Sequence, residues 1–145
     1  MAILIKDCLP HSLLPPINTA IEQVSVKLWN GVVVAGCYAP PNLTITDNHL
    51  TNIFRQGNKV LALGDFNSRH TSWKNATNNP DAIKVYDYAS DNDIQILGTP
   101  TPTHYGRQGT NPSYIDIGLN KNITNIQELQ VHSELSSDHN PTYLS

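Results

Sequence analysis

The chain has 145 residues, which fits one domain and leaves little room for two, so a single domain over residues 1–145 is expected. Nine Lys and Arg residues against twelve Asp and Glu residues give a net charge of −3, which excludes a polybasic nucleic-acid coat. No stretch approaches the roughly 20 apolar residues of a membrane span, and the N-terminus lacks the features of a secretory signal. We therefore expect a nuclear or cytoplasmic protein with no membrane partner.

Short apolar runs separated by Pro, Gly, Asn and Thr predict short strands and long loops, with helices inserted between them. The pair Asn30-Gly31 between two strand-like runs predicts a hairpin turn. In chain order, the predicted elements are a strand at Ala2–Lys6, a loop at His11–Asn18, strands at Ala20–Leu28 and Val32–Tyr38, a helix at Ile45–Gln56 capped by Thr46 or Asp47, a buried strand at Lys59–Gly64, a helix from Asn78 to Ala89, and strands at Ile94–Leu97, Tyr114–Leu119 and Ile126–Val131. This order predicts an α+β sandwich of two packed mixed β-sheets flanked by helices.

The two cysteines, Cys8 and Cys37, form no spacing typical of a metal site. Both lie in apolar segments that read as strands. Buried free thiols in a reducing compartment are therefore expected, with a disulfide as the alternative.

A carboxylate and an amide directly follow the predicted buried strand, at Asp65 and Asn67. Because they are two residues apart, both side chains would lie on one side of the chain and face a cleft beyond the sheet edge. A carboxylate can deprotonate a water, and an amide can donate to an oxyanion. The alternative is a simple Asx turn that ends the strand.

Two further acidic positions are candidates for chemistry. Asp138 and His139 are adjacent near the C-terminus, where they could form a metal ligand beside a general acid or a solvated loop. Asp116 lies between apolar residues of a predicted strand; facing inward it would need a partner or a function, and facing outward it would need neither.

Taken in chain order, these segments resemble the endonuclease/exonuclease/phosphatase superfamily, and within it the endonucleases of LINE-type, jockey-like retrotransposons. The turn Tyr38-Ala39-Pro40-Pro41 is similar to the family's Tyr-x-Pro-Pro turn. Residues 65–73 are similar to a Gly-Asp-Phe-Asn-Ala-x-His-x-x-Trp signature, and residues 97–116 to the segment that leads into the family's Ile-Asp strand.

The resemblance implies a metal-dependent endonuclease that nicks target DNA and a set of residues that carry the reaction. Asp65 would position or deprotonate the attacking water, Asn67 would bind the phosphate, and His139, oriented by Asp116, would stabilise the developing charge. Asp138 would help to hold Mg²⁺ or Mn²⁺. The implied substrate-binding residues are Tyr38, Thr103 and Ser137. DNA is the implied partner, with a reverse transcriptase domain in a longer polyprotein.

The sequence departs from the family pattern in its first part. A complete domain begins with an Asn-bearing strand and a strand that carries a metal-binding Glu, and none of Glu22, Glu128 and Glu134 has a matching context. The resemblance therefore implies a domain that is incomplete at its N-terminus and is a weak or inactive nuclease on its own. A superfamily phosphatase and a non-catalytic remnant of a mobile element are the alternatives. Trp73 and His70 are expected to serve packing and structure.

Overall fold

The structure is a computed structural model, and it describes residues 2–107, 111–126, 128–131 and 140–143. Within these ranges the chain forms two α-helices and eight β-strands. The helices are α1 (Asp47–Phe54) and α2 (Pro80–Asp91), and the strands are β1 (His11–Leu13), β2 (Glu22–Leu28), β3 (Val33–Tyr38), β4 (Val60–Asp65), β5 (Gln95–Leu97), β6 (Asp116–Lys121), β7 (Gln130–Val131) and β8 (Thr142–Tyr143).

Six of the strands form one mixed sheet in the order β1-β2-β3-β4-β6-β5. Strands β3 and β4 are parallel, and the other neighbouring strands of this sheet are antiparallel. The connection between β3 and β4 passes through α1, as a parallel pair requires a crossover. Strands β7 and β8 pair antiparallel as a second sheet. This architecture confirms the predicted α+β class.

Both predicted helices are present, with caps that the sequence indicates. The side chain of Thr46 accepts a hydrogen bond from the backbone N–H of His49, which gives α1 a capping box. The side chain of Asn79 caps α2 by accepting a hydrogen bond from the backbone N–H of Ala82, and Pro80 follows at the first helical position, where a missing N–H costs nothing. The predicted hairpin turn is also present, and Gly31 takes a φ of 86° there.

The two faces of the large sheet carry different cores. On one face, alternate residues of β3, β4 and β6 pack with the buried side chains of α1 and α2 in the main hydrophobic cluster. On the opposite face, Leu61, Leu97 and Leu129 form a small cluster with Leu63 and Ile126 against it. Both helices thus cover a single face of the sheet.

The prediction of a strand at Ala2–Lys6 is wrong, and the predicted loop at His11–Asn18 is wrong in its first three residues. Residues 2–6 form no helix or strand, and Leu4 is 97% exposed. Instead, His11–Leu13 pairs with the outer edge of β2. Apolar composition alone misplaces this strand, because an edge strand of three residues is defined by its partner rather than by its own pattern.

The predicted strands in the last third of the chain are shifted or shortened. Strand β6 begins two residues after the predicted start at Tyr114. Of the described residues in the predicted strand Ile126–Val131, which leave out residue 127, only Gln130–Val131 forms a strand. Within the described residues the second sheet holds only the antiparallel pair β7 and β8, so the expected second mixed sheet is not seen there. Cys37 is buried as expected, but Cys8 is exposed. Over the described ranges, no helix combines the length and apolarity needed to cross a bilayer.

Candidate active site

The ends of three central strands lie at one edge of the large sheet. Strands β3 and β4 run parallel, so their carboxyl ends meet at this edge, and β6 starts there because it runs antiparallel to β4. Tyr38 is the last residue of β3, Asp65 the last of β4 and Asp116 the first of β6. Topology therefore brings together three residues that are far apart in the sequence.

These three residues form one row across the sheet. Tyr38 is the register partner of Asp65, and Asp65 is the register partner of Asp116. Register partners on neighbouring strands project from the same face, about 5 Å apart. The alternation along each strand places the row on the face opposite the helices, and all three residues are half-buried. The row therefore presents two carboxylates and a phenol to one surface.

The segment after β4 folds as an Asx turn. The backbone N–H of Asn67 donates to Oδ1 of Asp65 at 2.7 Å, and Asn67 has a φ of 48°. Asn tolerates this left-handed conformation better than most residues, which explains its place in the turn. The turn that the sequence offers as an alternative to a functional site is thus present, and it fixes Asp65 and Asn67 relative to each other.

Hydrogen bonds tie this turn to both flanking strands. The Asn67 side-chain N–H donates to the carbonyl of Ala39 at 2.7 Å, and the N–H of Ala39 donates to the carbonyl of Asp65 at 2.8 Å. On the other side, the N–H of Phe66 donates to the carbonyl of Ile115 at 3.3 Å. The backbone around Asp65 is therefore held from two directions.

Thr103 is completely buried beside the start of β6. Its hydroxyl oxygen accepts hydrogen bonds from the backbone N–H groups of Ile115 at 3.4 Å and Asp116 at 3.2 Å. Its own carbonyl accepts from the N–H of Asn140 at 2.9 Å. These contacts position the backbone of Asp116, and they bring the chain at Asn140 to the same side of the site.

Three of the predicted site residues, Ser137, Asp138 and His139, lie outside the described residues. Of the predicted set, the structure therefore places Tyr38, Asp65, Asn67, Thr103 and Asp116, and it brings all five to one edge of the sheet.

The oxygen donors of the row suit a hard cation such as Mg²⁺ in type. Within the described residues no group of three or more His, Cys, Asp or Glu side chains that could hold a metal occurs. Mg²⁺ is often held by one or two carboxylates together with waters, so Asp65 and Asp116 fit such an ion as ligands.

Sequence reasoning missed residues that belong to the row or support it. Glu22 on β2 is the register partner of Tyr38, so it extends the row by one strand, with an exposed side chain. Its place follows from the hairpin register around Gly31 and could have been found by counting from the turn. Asn75 and Asn79 bind backbone groups near the site, and only the Asn-Pro pair before a helix signals one of them.

The aromatic and cysteine side chains near the site serve packing. Trp73 is 3% exposed and donates from its indole N–H to the carbonyl of Ser68 at 3.0 Å, which confirms the expected packing role. His70 stacks between Trp73 and Tyr86, as its structural assignment predicts. Burial raises the pKa of the Cys37 thiol to about 12, so this neighbour of Tyr38 is not a nucleophile.

The chain is similar to proteins of mobile genetic elements along nearly its whole length. It is 35% identical over 150 residues to the RNA-directed DNA polymerase from mobile element jockey of Drosophila melanogaster, covering 97% of this chain and 16% of that protein. It is 32% identical over 152 residues to the probable RNA-directed DNA polymerase from transposon X-element of Drosophila melanogaster, covering 99% of this chain and 17% of that protein. The chain therefore spans about a sixth of the length of these curated relatives.

The fold also matches a solved structure, the endonuclease domain of TRAS1, a telomere-specific non-LTR retrotransposon. The TM-score is 0.79 at 20% sequence identity, and the match covers 96% of this chain and 69% of that chain. A family model described as endonuclease-reverse transcriptase matches residues 32–143, a range that contains every predicted site residue. The chain belongs to this endonuclease-reverse transcriptase family, and the resemblance to retrotransposon endonucleases that its motifs predict is confirmed.

Proposed function

We propose that this chain is a DNA endonuclease domain that hydrolyses one phosphodiester bond of a target duplex. The observation that carries the proposal is the row of Tyr38, Asp65 and Asp116 at one sheet edge, with Asn67 fixed beside it. Membership of the endonuclease-reverse transcriptase family supports nuclease chemistry at this edge. DNA as the substrate is consistent with the polymerase and transposon names of the relatives.

In the proposed reaction, a water oxygen attacks phosphorus while the bond from phosphorus to the 3′-oxygen breaks. Asp65 accepts a proton from the water, since it is a half-buried carboxylate held rigidly at the strand end. Asn67 and Tyr38 donate hydrogen bonds to the phosphate oxygens. The 3′-oxygen leaves with the bonding electron pair and takes a proton from solvent, and Asp65 returns its proton to solvent. The products are a 5′-phosphate and a free 3′-hydroxyl, which a polymerase can extend.

The residues outside the described ranges complete the proposal. His139 stabilises the charge that develops on the phosphate, and Asp116 orients the imidazole. Asn140, which follows His139 in the sequence, is hydrogen-bonded to Thr103 beside Asp116, and this contact supports the pairing. Ser137 contacts the substrate, whereas buried Thr103 acts by holding the Asp116 backbone.

We further propose that cleavage needs a divalent cation, Mg²⁺ or Mn²⁺, with Asp138 among its ligands. The row already concentrates two carboxylates where a negatively charged phosphodiester must bind, so a cation would offset the repulsion and polarise the phosphate. We also propose that cation binding is weak and cleavage slow, because none of Glu22, Glu128 and Glu134 lies in the context of the family's metal-binding Glu. We propose a nuclear or cytoplasmic location and, from the polymerase names of the relatives, a neighbouring reverse transcriptase domain.

A plasmid-nicking assay tests the proposal. Supercoiled plasmid is incubated with the chain at a series of Mg²⁺ and Mn²⁺ concentrations, and open-circular product is measured. Asp65→Asn and His139→Ala should each lower the rate at least about 100-fold, a typical loss for a general base or charge-stabilising group. Asp87→Asn, at an exposed position of α2 on the other face of the sheet, makes the same charge change away from the row and should leave the rate unchanged. Nicking that survives Asp65→Asn would contradict the role of Asp65 as the base. No nicking at any cation concentration would contradict the proposed function in favour of a non-catalytic remnant.

A further inference from the structure

Asn79 joins the turn after β4 to the first turn of α2. We propose that Asn79 is a positioning residue for the phosphodiester cleavage, because it holds Asn67 in place through the Asn67 main chain. This inference rests on the proposed function. Asn79 does not belong to the predicted site, and it contacts the site through the carbonyl of Asn67.

The side chain of Asn79 uses both ends of its amide. Its Oδ1 accepts hydrogen bonds from the backbone N–H groups of Ala82 at 2.9 Å and Arg69 at 3.2 Å. Its Nδ2 donates to the carbonyl of Asn67 at 2.9 Å. Two backbone donors at one end and a carbonyl acceptor at the other fix the orientation of the amide. The backbone N–H of Asn79 also donates to the carbonyl of Arg69 at 2.9 Å.

Asn67 depends on outside contacts of this kind. Its φ of 48° lies in the left-handed region, which Asn adopts more readily than most residues and which the contacts of Asn67 stabilise here. Three hydrogen bonds do so: its N–H to Asp65, its side-chain N–H to Ala39, and its carbonyl to Asn79. The third contact comes from a helix, so it fixes the turn to an element that packs in the main core.

The helix cap uses Oδ1 of Asn79, and the contact with the Asn67 carbonyl, called the clamp below, uses Nδ2. Because the two contacts use different atoms, substitutions can separate them. Asp is as good an N-cap as Asn, so Asn79→Asp keeps the acceptor for Ala82 and Arg69. It removes the donor to Asn67 and sets a carboxylate oxygen against a carbonyl oxygen. Ser also caps helices well and adds no charge, so Asn79→Ser is a second variant that keeps the cap and loses the clamp.

Asn78→Asp is the matched control for the added charge. Asn78 is exposed, one residue away, and its Oδ1 accepts from the N–H of Thr71 at 2.8 Å. An Asp at this position retains that acceptor and repels DNA to a similar degree. A difference between Asn78→Asp and Asn79→Asp therefore reports the clamp and not the charge.

The test combines nicking kinetics, melting and amide hydrogen exchange on the full chain. We expect Asn79→Asp and Asn79→Ser to lower kcat about tenfold or more with little change in KM, because small displacements of a reacting group are costly. Their melting temperatures should stay close to that of Asn78→Asp. The Asn67 amide, which donates to Asp65, should exchange faster in both Asn79 variants than in Asn78→Asp.

Hydrogen exchange separates this inference from the proposed function. If kcat and Asn67 exchange in the Asn79 variants match those of Asn78→Asp, the positioning role is overturned. If the unmodified chain does not nick DNA at all, the proposed function fails. Hydrogen exchange then still tests the clamp: faster exchange at Asn67 in the Asn79 variants supports it, and unchanged exchange overturns it. A large loss of melting temperature in both Asn79 variants would also overturn it, since Asn79 would then be merely structural.

Discussion

Gly64 and Cys37 lie so close together that a Cβ on Gly64 would come within 1.9 Å of the Cys37 carbonyl oxygen. The two residues are register partners on β4 and β3, and Gly64 has a φ of 146°. Only glycine fits at this position, because any side chain would meet the backbone of the neighbouring strand. The contact lies one residue before Asp65, so it helps to set where the end of β4 stands.

Gly64→Ala is therefore expected to lower the free energy of unfolding by about 3 kcal/mol or more, from backbone overlap and strain together. Urea unfolding followed by circular dichroism measures the effect. Gly31→Ala is the control, since Gly31 also has a positive φ but has no atom within 4 Å of the added Cβ. That variant should lose only about 1–2 kcal/mol. Equal losses in the two variants would show that the strands separate easily here.

Asn75 holds the start of β6 in the way a neighbouring strand would. Its Nδ2 donates to the carbonyl of Tyr114 at 2.9 Å, and its Oδ1 accepts from the N–H of Tyr114 at 3.0 Å. Asn75 is 9% exposed, so its loss leaves both backbone groups without these partners in a largely buried place. We expect Asn75→Ala to cost about 2–4 kcal/mol of unfolding free energy. Denaturant unfolding measures this loss. The control is Asn78→Ala at an exposed position, which should cost less than about 1 kcal/mol. A loss in Asn75→Ala no larger than that of the control would argue against a stabilising role for the Asn75–Tyr114 hydrogen bonds.

The elements that the sequence predicts well are those with local signals. The apolar run Lys59–Gly64 becomes β4 with one-residue shifts, and the Asn-Gly turn and both helix caps are where side-chain chemistry places them. Strand β1 could not be predicted in this way. Its three residues are all exposed, and only pairing with β2 makes them a strand.

In the candidate site too, local sequence signals predict some residues, and tertiary contacts determine the rest. Asp65 and Asn67 are visible in the sequence because they follow a buried strand two residues apart, and Asp116 because it interrupts an apolar strand. The support of Asn67 by Ala39 and Asn79 could not be read, since those partners are 28 and 12 residues away. Such contacts depend on strand order and on where a helix begins, which are tertiary properties.

The buried thiol of Cys37 gives the chain a defined alkaline sensitivity. Burial raises the pKa of Cys37 from the ordinary 9.0 to about 12 in the folded chain. Between these two values the unfolded chain has lost a proton that the folded chain keeps, so stability falls as the pH rises. Below pH 9 this contribution to stability is fully present. The unfolding free energy of the unmodified chain should therefore fall more steeply above pH 9 than that of Cys37→Ala, by up to about 1.4 kcal/mol per pH unit.

Thiol labelling gives an independent check on the two cysteines. Cys8 is exposed and Cys37 is buried, so an aromatic disulfide reagent at neutral pH should modify one thiol at once and the second only when the chain unfolds. Cys8→Ser should abolish the fast phase. A fast phase that persists in Cys8→Ser would mean that Cys37 is accessible and would undermine the pH prediction as well.

The two tryptophans differ widely in burial. Trp73 is 3% exposed and Trp29 is 71% exposed. Trp73→Phe removes the donor to the Ser68 carbonyl and part of a buried ring, so we expect a loss of about 2–3 kcal/mol. Trp29→Phe should change stability by less than about 0.5 kcal/mol, and its remaining fluorescence, from Trp73 alone, should resist quenching by acrylamide. Because Ser68 directly follows Asn67, a stable Trp73→Phe variant with unchanged nicking would show that the turn stands without its aromatic support.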